Sequence, residues 1–550
     1  MSFSKIEETP EINEENLKVI DKDDVEPSPS IIKNLGDFPI FGWWAVFILV
    51  LSEFCILSQM SNITFMVYGK LEPKITSCGE HDFTGMPKDQ VCTTLAKILE
   101  NETCQVEKSI QFNSVANEFD YYCSSIQDVK NSISAQMIGV LVGAIIFGQL
   151  SDLFGRRKIM IVCTIGIAIF DFGASYSTGL TMFTVLQTIT LAFSGGLNSV
   201  GNVYVIENLP KNLRAMATLL INFTPNYILC AIIAYFAWDW RLLLRVYGIV
   251  AVLAFCLTTF VAVESPRWLV HVGKLTEAKK TFEHIERKNK TETAERQAIL
   301  DVLIQKEVDA QENRKSSQKY SYWHLFYTLK MIQHTLVLSL TMLCVSMVNY
   351  ALMFDMGVLP GSIYRNNIML GVIRYSFNIA SSIVDMKFPW AGRKFITRWS
   401  LIPVVVSLTV AFLIRYLELD FPAWVSIVFV LIGAAMTSQM FSVVIVVTNE
   451  LFPTPVRNIA ASFQQIFSRF GAVLSPHVSR VSSMIWQPSP YLFMALVMLA
   501  ALIGFEIAIP ESKGSPMSDH MPPKEESVLH LIRQRKNKTD KNEVNVPLAP

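Results

Sequence analysis

The chain is a succession of long apolar runs separated by shorter polar segments. Twelve runs can be marked, and each has about the 20 residues that an α-helix needs to cross about 30 Å of hydrocarbon. They lie at roughly 42–66, 133–151, 159–177, 180–205, 215–237, 243–262, 335–356, 366–386, 397–416, 422–448, 457–481 and 490–509. The pattern predicts an all-α membrane protein with twelve transmembrane helices, and polar interruptions leave eleven or thirteen open.

The composition is typical of a membrane protein and gives no indication of a nucleic-acid partner. Only 17% of the 550 residues are charged and the mean hydropathy is +0.36, whereas soluble proteins are usually about a quarter charged. Basic and acidic residues both number 47, so the net charge gives no reason to expect nucleic acid as a partner. The sequence has no P-loop, nucleophile elbow, dinucleotide fingerprint or metal-binding spacing, and we therefore expect no enzyme, no cofactor and no metal.

Basic residues predict which helix ends face the cytosol, because cytoplasmic loops carry an excess of Lys and Arg. Every even-numbered run up to the tenth ends at a loop with basic residues, such as 156–158 after the second and 263–334 after the sixth. The first 40 residues are polar and acidic and resemble no cleavable signal peptide. We expect a multi-pass protein of the plasma membrane, embedded in the lipid bilayer, with both termini in the cytosol.

The long segment 68–132 is predicted to lie outside the cell. It contains four cysteines, and an even number in an exported loop indicates two disulfides with three possible pairings. These are Cys78, Cys92, Cys104 and Cys123. The triplet beginning at Asn101 is an N-glycosylation sequon, so we expect this segment to be glycosylated there.

The second half of the chain repeats motifs of the first half. Glu207 to Arg214 after the fourth run and Glu450 to Arg457 after the tenth both read E-x-x-P-x-x-x-R. "GRR" at 155–157 is echoed by "GRK" at 392–394, and "VESPRWL" after the sixth run by "IPESKG" after the twelfth. The repeat predicts two parallel six-helix bundles. The expected divisions are a tail 1–40, a bundle 41–262 that includes the outer segment, a linker 263–334, a bundle 335–511 and a tail 512–550.

This layout resembles the major facilitator superfamily, and "FGQLSDLFGRRK" (147–158) resembles its signature loop, G-x-x-x-D-x-x-G-R-R. We interpret Gly148 as a point of close helix approach. Asp152 is interpreted as the partner of a cation and of a helix N-terminus in the other half, which would latch the cytosolic side closed. The alternative is that these charges only set the topology. The predicted gating set is Gly148, Asp152, Gly155, Arg156, Arg157, Glu207, Arg214, Glu264, Arg267, Glu450 and Arg457.

The equivalent loop in the second half matches the signature less well. Asp385 is too far from Gly392 to fit the spacing, and Pro389 stands between them. A damaged gating motif gives slight support to a different class of function, a non-transporting receptor on a carrier scaffold.

Three stretches are similar to the organic ion transporters, the group of organic cation, organic anion and carnitine carriers. They are "QMIGVLVGAIIFGQLSDLFGRRK" (136–158), "VESPRWLV" (263–270) and "NELFPTPVRN" (449–458). The resemblance extends from 38 to 514 and implies a secondary-active or facilitative carrier of a small organic ion that works by alternating access. Two departures are the four cysteines, where family members usually have six, and the eighth helix, which has Arg374 but no acid-x-Pro sequence.

Arg469 is the foremost candidate for substrate binding. It lies twelve residues past Arg457, about 18 Å along a helix and so near the midplane of the membrane. Gln465 shares its polar stripe. Anion and carnitine carriers resemble this chain in having an arginine here, whereas organic cation carriers have an acid. The favoured substrates are therefore organic anions or zwitterions, with an organic cation facilitator as the alternative and a coupling ion or counter-substrate left open.

Further candidates are polar or aromatic residues inside the predicted helices. Phe223, Tyr227, Tyr350 and Phe441 match substrate-facing positions of the family, and Arg374 is an intramembrane charge. The alternative for each aromatic residue is ordinary packing. Asp171 and Glu53 are the acids with which Arg469 would pair if its role were structural, and Asp171 is also a candidate for carrying a proton or sodium.

Overall fold

The structure, a computed structural model, is almost entirely helical. It describes residues 38, 40–101, 104–123, 125–210, 223–314, 321–417, 422–486, 489–513, 521–523, 526–528 and 530. Within this part, a long helix coincides with each of the twelve predicted runs. In chain order, α1 to α12 are Trp43–Gly69, Ile126–Phe154, Arg156–Ala174, Leu180–Asn208, Phe223–Ala237, Trp240–Phe260, Leu329–Phe354, Ile363–Lys387, Arg393–Tyr416, Ala423–Leu451, Thr454–Ile485 and Ser489–Ala508.

Eight of these helices are long and apolar enough to cross a membrane by length and composition alone. The other four are α3, α5, α8 and α11. Three of them contain interior charges, namely Asp171 in α3, Arg374 in α8 and Arg469 in α11, and the described part of α5 is short. Charged residues inside a membrane are costly and are usually retained for function, so these helices are the first place to look for a site.

The helices form two six-helix bundles with matching internal packing. In the first half α3 packs on α4 and α6, and α1 packs on α4 and α6. In the second half α9 packs on α10 and α12, and α7 packs on α10 and α12 in the same way. The motif repeat therefore reports a structural repeat, and the major facilitator fold is confirmed.

Glycines allow the closest helix contact, which is between α2 and α4. A Cβ atom added at Gly143 would lie 1.7 Å from the carbonyl oxygen of Ala192, and one added at Gly195 would lie 2.2 Å from that of Val140. The prediction for Gly148 was wrong, because nothing lies within 4 Å of the Cβ position there. In α2 the close approach occurs instead at Gly143 and Gly139, which lie five and nine residues before Gly148.

The segment between α1 and α2 forms a small disulfide-linked domain. Its three strands, β1 (Lys74–Cys78), β2 (His81–Asp82) and β3 (Val106–Ser109), make an antiparallel sheet in the order β2-β1-β3, beside a helix at Lys88–Asn101. The two expected disulfides are confirmed and join Cys78 to Cys104 and Cys92 to Cys123. The side chain of Asn101 and the two residues after it lie outside the described part, so its glycosylation stays a prediction.

The described part of the linker between the bundles contains three α-helices, Pro266–His271, Leu275–Asn289 and Ala294–Arg314. Their apolar side chains share a small core with Phe38, which precedes α1 and packs edge-on against Phe282 at 5.4 Å. Asn289 accepts a hydrogen bond of 2.8 Å from the backbone N–H of Trp44, the second residue of α1. We call the membrane face that carries this linker the linker face, and the face that carries the disulfide-linked domain the domain face.

Candidate substrate and gating sites

The signature loop joins α2 to α3 at the linker face. Gly155 has a φ of 108°, a conformation that favours glycine, and the Cβ atom it lacks would lie 2.4 Å from Glu264 Oε2. Arg156, the first residue of α3, pairs with Asp152 at 2.5 Å and with Glu207 at 3.4 Å. Glu264 accepts the backbone N–H of Arg157 at 2.9 Å, so a carboxylate lies at the positive N-terminus of α3.

The second half contains the same arrangement. Arg393, the first residue of α9, pairs with Asp385 at 2.6 Å and with Glu450 at 2.7 Å. Glu511 accepts the backbone N–H groups of Arg393 and Lys394 at 2.7 and 3.1 Å, as Glu264 does in the first half. Burial raises the pKa of Glu511, but several backbone N–H donors outweigh it and hold this pKa below its usual value.

The second motif was expected to be damaged, but the ion pair between its acid and its arginine is formed. The spacing between Asp385 and Gly392 is indeed too long, but the chain leaves the helix after Lys387 and turns back. Lys513 holds this turn, since its ammonium binds Asp385 Oδ1 at 3.1 Å and the carbonyl oxygens of Phe388 and Ala391 at 3.1 and 2.9 Å. The loop is longer than the signature spacing allows, but its turn still brings Asp385 to Arg393.

The remaining gating residues lie around these pairs. Glu207 and Glu450 bind the arginines that begin α3 and α9. Arg457 donates to the carbonyl oxygen of Phe452 at 3.3 Å. Arg267 lies in the first linker helix, and Arg214 lies outside the described residues.

Asp152 does not contact the second half in this structure. Its side chain is 70% exposed and pairs within its own half, while Trp268 Nε1 donates to its backbone carbonyl at 3.0 Å. In the described part of the chain, the ion pairs at the linker face all stay within one half. The latch between the halves is thus not engaged in this conformation and stays a prediction.

The two halves meet instead at the domain face. Lys70 at the end of α1 pairs with Asp355 at the end of α7, at 3.5 Å. Tyr68 stacks on Tyr364 with ring centroids 5.9 Å apart and accepts a hydrogen bond from Asn367 Nδ2 at 3.1 Å. These contacts close the domain face.

Contacts between the halves continue deeper along α5 and α8. The Arg374 guanidinium of α8 lies 4.9 Å from the ring centroid of Tyr227 in α5. Deeper in the same contact, four residues after Arg374 in α8 and three residues before Tyr227 in α5, Asn378 Nδ2 donates to Thr224 Oγ1 at 2.9 Å. On the other side of the molecule, Ser134 of α2 and His477 of α11 share a hydrogen bond of 2.9 Å. Together with the ion pairs at the linker face, which stay within one half, these contacts describe a carrier that is closed on the domain side.

Arg374 is bound by neutral groups within the bundle. It is 3% exposed, and its Nη2 atom donates to Asn349 Oδ1 at 2.8 Å and to the carbonyl oxygen of Ala434 at 2.7 Å. The described residues offer it no carboxylate partner. Its charge therefore has only amide and carbonyl dipoles and the face of Tyr227 to compensate it, which is an unusual environment for a guanidinium.

Arg469 differs from Arg374 in having no bound partner. It is half-buried in α11, and among the described residues it makes neither a hydrogen bond nor an ion pair. The alternative pairing with an acid is not formed, because Asp171 interacts with Asn62 and Glu53 with Asn226. Among the described candidates for substrate binding, this guanidinium is the one left available to an anionic group.

The other candidates are less uniform. Tyr227 is buried and donates its hydroxyl to Met353 Sδ at 2.9 Å, whereas Phe223 at the start of the described α5 is 37% exposed. Tyr350 and Phe441 are half-buried against the large core cluster, and Tyr350 packs on Phe354 with a centroid distance of 5.9 Å. Gln465 is half-buried and is free of hydrogen bonds to described residues, while its neighbour Gln464 is buried and accepts from Thr448 at 2.7 Å.

Comparison with known proteins identifies the family. The family model described as "Sugar (and other) transporter" matches residues 96–521, which is well over half of the chain. The chain belongs to this family. The protein is therefore a membrane transporter and not an enzyme, and a receptor without transport activity is not favoured.

Individual relatives include members of solute carrier family 22 and an organic cation/carnitine transporter. The transporter is 28% identical to solute carrier family 22 member 4 of Mus musculus over 436 residues, which are 77% of this chain and 75% of the relative. It is 27% identical to organic cation/carnitine transporter 2 of Homo sapiens over 432 residues, or 76% and 74% of the two chains. Solute carrier family 22 member 7 of Rattus norvegicus is 23% identical over 471 residues, which are 84% of this chain and 83% of the relative. The resemblance to organic ion transporters is confirmed.

Solved structures confirm the fold. The inward-open structure of the xylose transporter XylE from E. coli superposes with a TM-score of 0.59 over 86% of this chain and 98% of that one. At 17% sequence identity, this likeness shows the fold of the transporter and nothing of its substrate.

Sequence reasoning missed a polar network in the second half of the transporter. Asn349 accepts hydrogen bonds from Arg374 and from Thr437 Oγ1, and Gln439 donates to Asn378. Each of these side chains is polar inside an apolar run, which was the available signal. Their partners lie on different helices, so their sequence spacing gave no indication that they meet.

Proposed function

We propose that the protein carries organic anions or zwitterions across the plasma membrane by alternating access, with both termini in the cytosol. The observation that carries the proposal is Arg469, an intramembrane guanidinium without a partner among the described residues. An unpaired charge in a bundle is costly, and a substrate carboxylate would compensate it through two charge-assisted hydrogen bonds. The lysine-rich and arginine-rich linker face supports a cytosolic location for that side.

In this assignment the linker face is the cytosolic face, and the conformation is open to the cytosol. Closure would bring the Asp152 and Asp385 clusters of the two halves together while the Lys70–Asp355 pair separates. The binding site then lies between the bundles, near Arg469 of α11 and the α5–α8 contact, and is exposed to each side in turn.

A zwitterion with a quaternary ammonium and a carboxylate suits the side chains particularly well. Arg469 supplies the anion site, and the aromatic faces of Tyr227 and Tyr350 attract cations. The Arg374 guanidinium lies 4.9 Å from the ring centroid of Tyr227, and this cation–π contact supports the proposal that the aromatic side chains here suit a cationic group. The name of one relative, organic cation/carnitine transporter 2, is consistent with a ligand of this type.

The test is uptake of three labelled probes by cells that express the protein: carnitine as zwitterion, benzoate as anion and tetraethylammonium as cation. We expect uptake of carnitine, of benzoate or of both, and loss of that uptake in Arg469→Asp. The matched control is Arg398→Asp, which changes an exposed arginine paired with Glu506. Uptake of tetraethylammonium alone by the wild-type protein would favour the cation facilitator and overturn the anion assignment.

A further inference from the structure

The first half contains a buried carboxyl that the proposed substrate site does not use. Asp171 of α3 has no solvent exposure. Asn62 Nδ2 of α1 donates to its Oδ2 atom at 3.0 Å, and its Oδ1 atom is buried without a hydrogen-bond partner among the described residues. Asp171 is the sixteenth residue of α3, so it lies about 22 Å from the linker-face end of that helix, in the third of the membrane nearest the domain face.

The groups that face this carboxyl are all neutral near pH 7. They are the Asn62 amide of α1, Gln187 and Thr190 of α4, and the Tyr247 hydroxyl of α6, which ordinarily titrates near pH 10. Among the described residues, no charged side chain of α1 or α2 forms an ion pair with Asp171.

The nearest cations are engaged elsewhere. Arg241 and Arg245 of α6 both bind Ser175, one turn beyond the carboxyl. Arg241 donates to the Ser175 carbonyl oxygen at 2.7 Å and Arg245 to its hydroxyl at 3.3 Å. Arg241 also pairs with Glu118 of the disulfide-linked domain, so its charge already has a partner.

A proton resolves the hydrogen bonding of this site. An ionised carboxylate with one amide donor and no counter-ion is strongly disfavoured inside a membrane bundle. Oδ1 of Asp171 and both side-chain polar atoms of Gln187, Oε1 and Nε2, are buried without a hydrogen-bond partner among the described residues. The Gln187 amide can donate a hydrogen bond to Oδ1 but cannot neutralise its charge. A proton on Oδ1 removes the charge and provides an O–H donor for Oε1 of Gln187.

We propose that Asp171 is the proton-binding site of a proton-coupled carrier, which deepens and rests on the proposed transport function. One O–H bond forms at Oδ1 with a proton from one face of the membrane and breaks when that proton is released to the other. No electron transfer or further reactant is involved.

The connection to the transport cycle runs along α1. Asn62, which binds the carboxyl, is six residues before Tyr68 and eight before Lys70, and both of these close the domain face. The intervening residues 63–67 are all buried, so α1 is held on all sides along this stretch. A change in the charge of Asp171 alters its bond to Asn62 and thereby biases the helix that closes the carrier.

The site can be tested without any transport substrate. Infrared spectra of the purified full-length protein report the carbonyl stretch of a protonated carboxylic acid. We expect this band at neutral pH in the wild-type protein and in the control Asp301→Asn, an exposed residue paired with Lys279, but not in Asp171→Asn. Gln187→Arg retains Asp171 beside a fixed cation and should also lose the band. A wild-type band that persists in both variants would overturn the proposal.

Transport provides an independent arm, with carnitine as the probe in proteoliposomes. An inward proton gradient should increase carnitine uptake by the wild-type protein. Asp171→Asn, which mimics the protonated form, should lose this stimulation but still exchange internal for external carnitine. Stimulation by a sodium gradient with no response to pH would contradict a proton site. Absence of carnitine transport by the wild type counts against a zwitterionic substrate and moves this arm to benzoate as the probe, whereas the infrared result still decides the proton site.

Discussion

Arg156 and Arg393 occupy equivalent positions in the two halves of the transporter. Each is the first residue of a helix after a glycine, and each bridges two carboxylates, Asp152 and Glu207 for Arg156 and Asp385 and Glu450 for Arg393. The side chains of both arginines are little exposed, at 12% and 13%. These clusters therefore form a matched pair on the linker face.

The matched clusters predict that their exposed acids matter for closure more than for folding. Asp152→Asn keeps the size of the side chain and removes the charge available to the other half. Since surface ion pairs contribute only about 0–1 kcal/mol, we expect near-normal surface expression with a clear loss of turnover. Asp385→Asn should destabilise the protein more, because that acid binds both Arg393 and Lys513.

Surface biotinylation combined with initial uptake rates separates these effects. If Asp152→Asn has the same turnover per surface molecule as the wild type, the charge is not needed for closure, and the charges of this loop serve only to set the topology.

Two glycines of α2 should respond oppositely to substitution by alanine. Gly143→Ala places a Cβ atom 1.7 Å from the carbonyl oxygen of Ala192, so α2 and α4 must move apart and the protein should fail to reach the surface. Gly148→Ala meets nothing within 4 Å and should gain up to about 1 kcal/mol of helix propensity. Thermal unfolding of the purified variants measures the difference. Equal destabilisation by both substitutions would refute the packing described for this interface.

The pair between Lys70 and Asp355 should stabilise the closed domain face. Lys70→Asp brings two carboxylates together, so we expect this closed state to lose on the order of 1 kcal/mol and the balance of states to shift about fivefold. The exchanged variant with Lys70→Asp and Asp355→Lys should recover most of the wild-type turnover. Turnover per surface molecule is the measurement, and failure of the exchange to restore it would show that the pair does not act through its charge.

Asn101 is expected to carry a glycan at the end of its helix in the disulfide-linked domain. Asn101→Gln should lower the apparent mass on a gel to that of the enzymatically deglycosylated protein while leaving both disulfides intact. The control is Asn289→Gln. Asn289 also begins a sequon, but it lies at the linker face, where it binds the backbone of α1, and we expect no glycan there. A mass shift in the Asn289 variant instead would reverse the proposed orientation.

Hydrophobic runs predicted the twelve long helices α1 to α12, because the membrane imposes both the length and the apolar character of its spans, but not the helices of the linker and of the disulfide-linked domain. The ends were less accurate. For example, α2 begins at Ile126, whereas the apolar run begins at about 133, since polar turns continue the helix beyond the hydrocarbon.

Contacts that depend on the path of a loop were not predictable. Asp385 failed the expected spacing, yet Lys513 folds the turn so that this acid reaches Arg393. Gly148 fitted a motif but meets open space. Sequence spacing describes neighbours on one helix and gives no information on which residues a turn or a second helix brings together.

The account depends most on Arg469, and its unpaired state makes an unusual prediction. Removal of a buried charge that has a structural partner leaves the partner unpaired and destabilises the protein. Arg469 has no such partner among the described residues, so Arg469→Ala should fold and reach the surface as well as the wild type or better.

The decisive measurement is therefore the KM for carnitine uptake in Arg469→Ala and Arg469→Lys, normalised to the amount at the surface. Loss of a charge-assisted contact with a carboxylate costs roughly 1.5–3 kcal/mol, so the alanine variant should raise KM about ten- to a hundredfold. Lysine keeps the charge but loses the planar fork, and we expect an intermediate KM. A normal surface level with an unchanged KM in Arg469→Ala would contradict the assignment of this residue to the substrate.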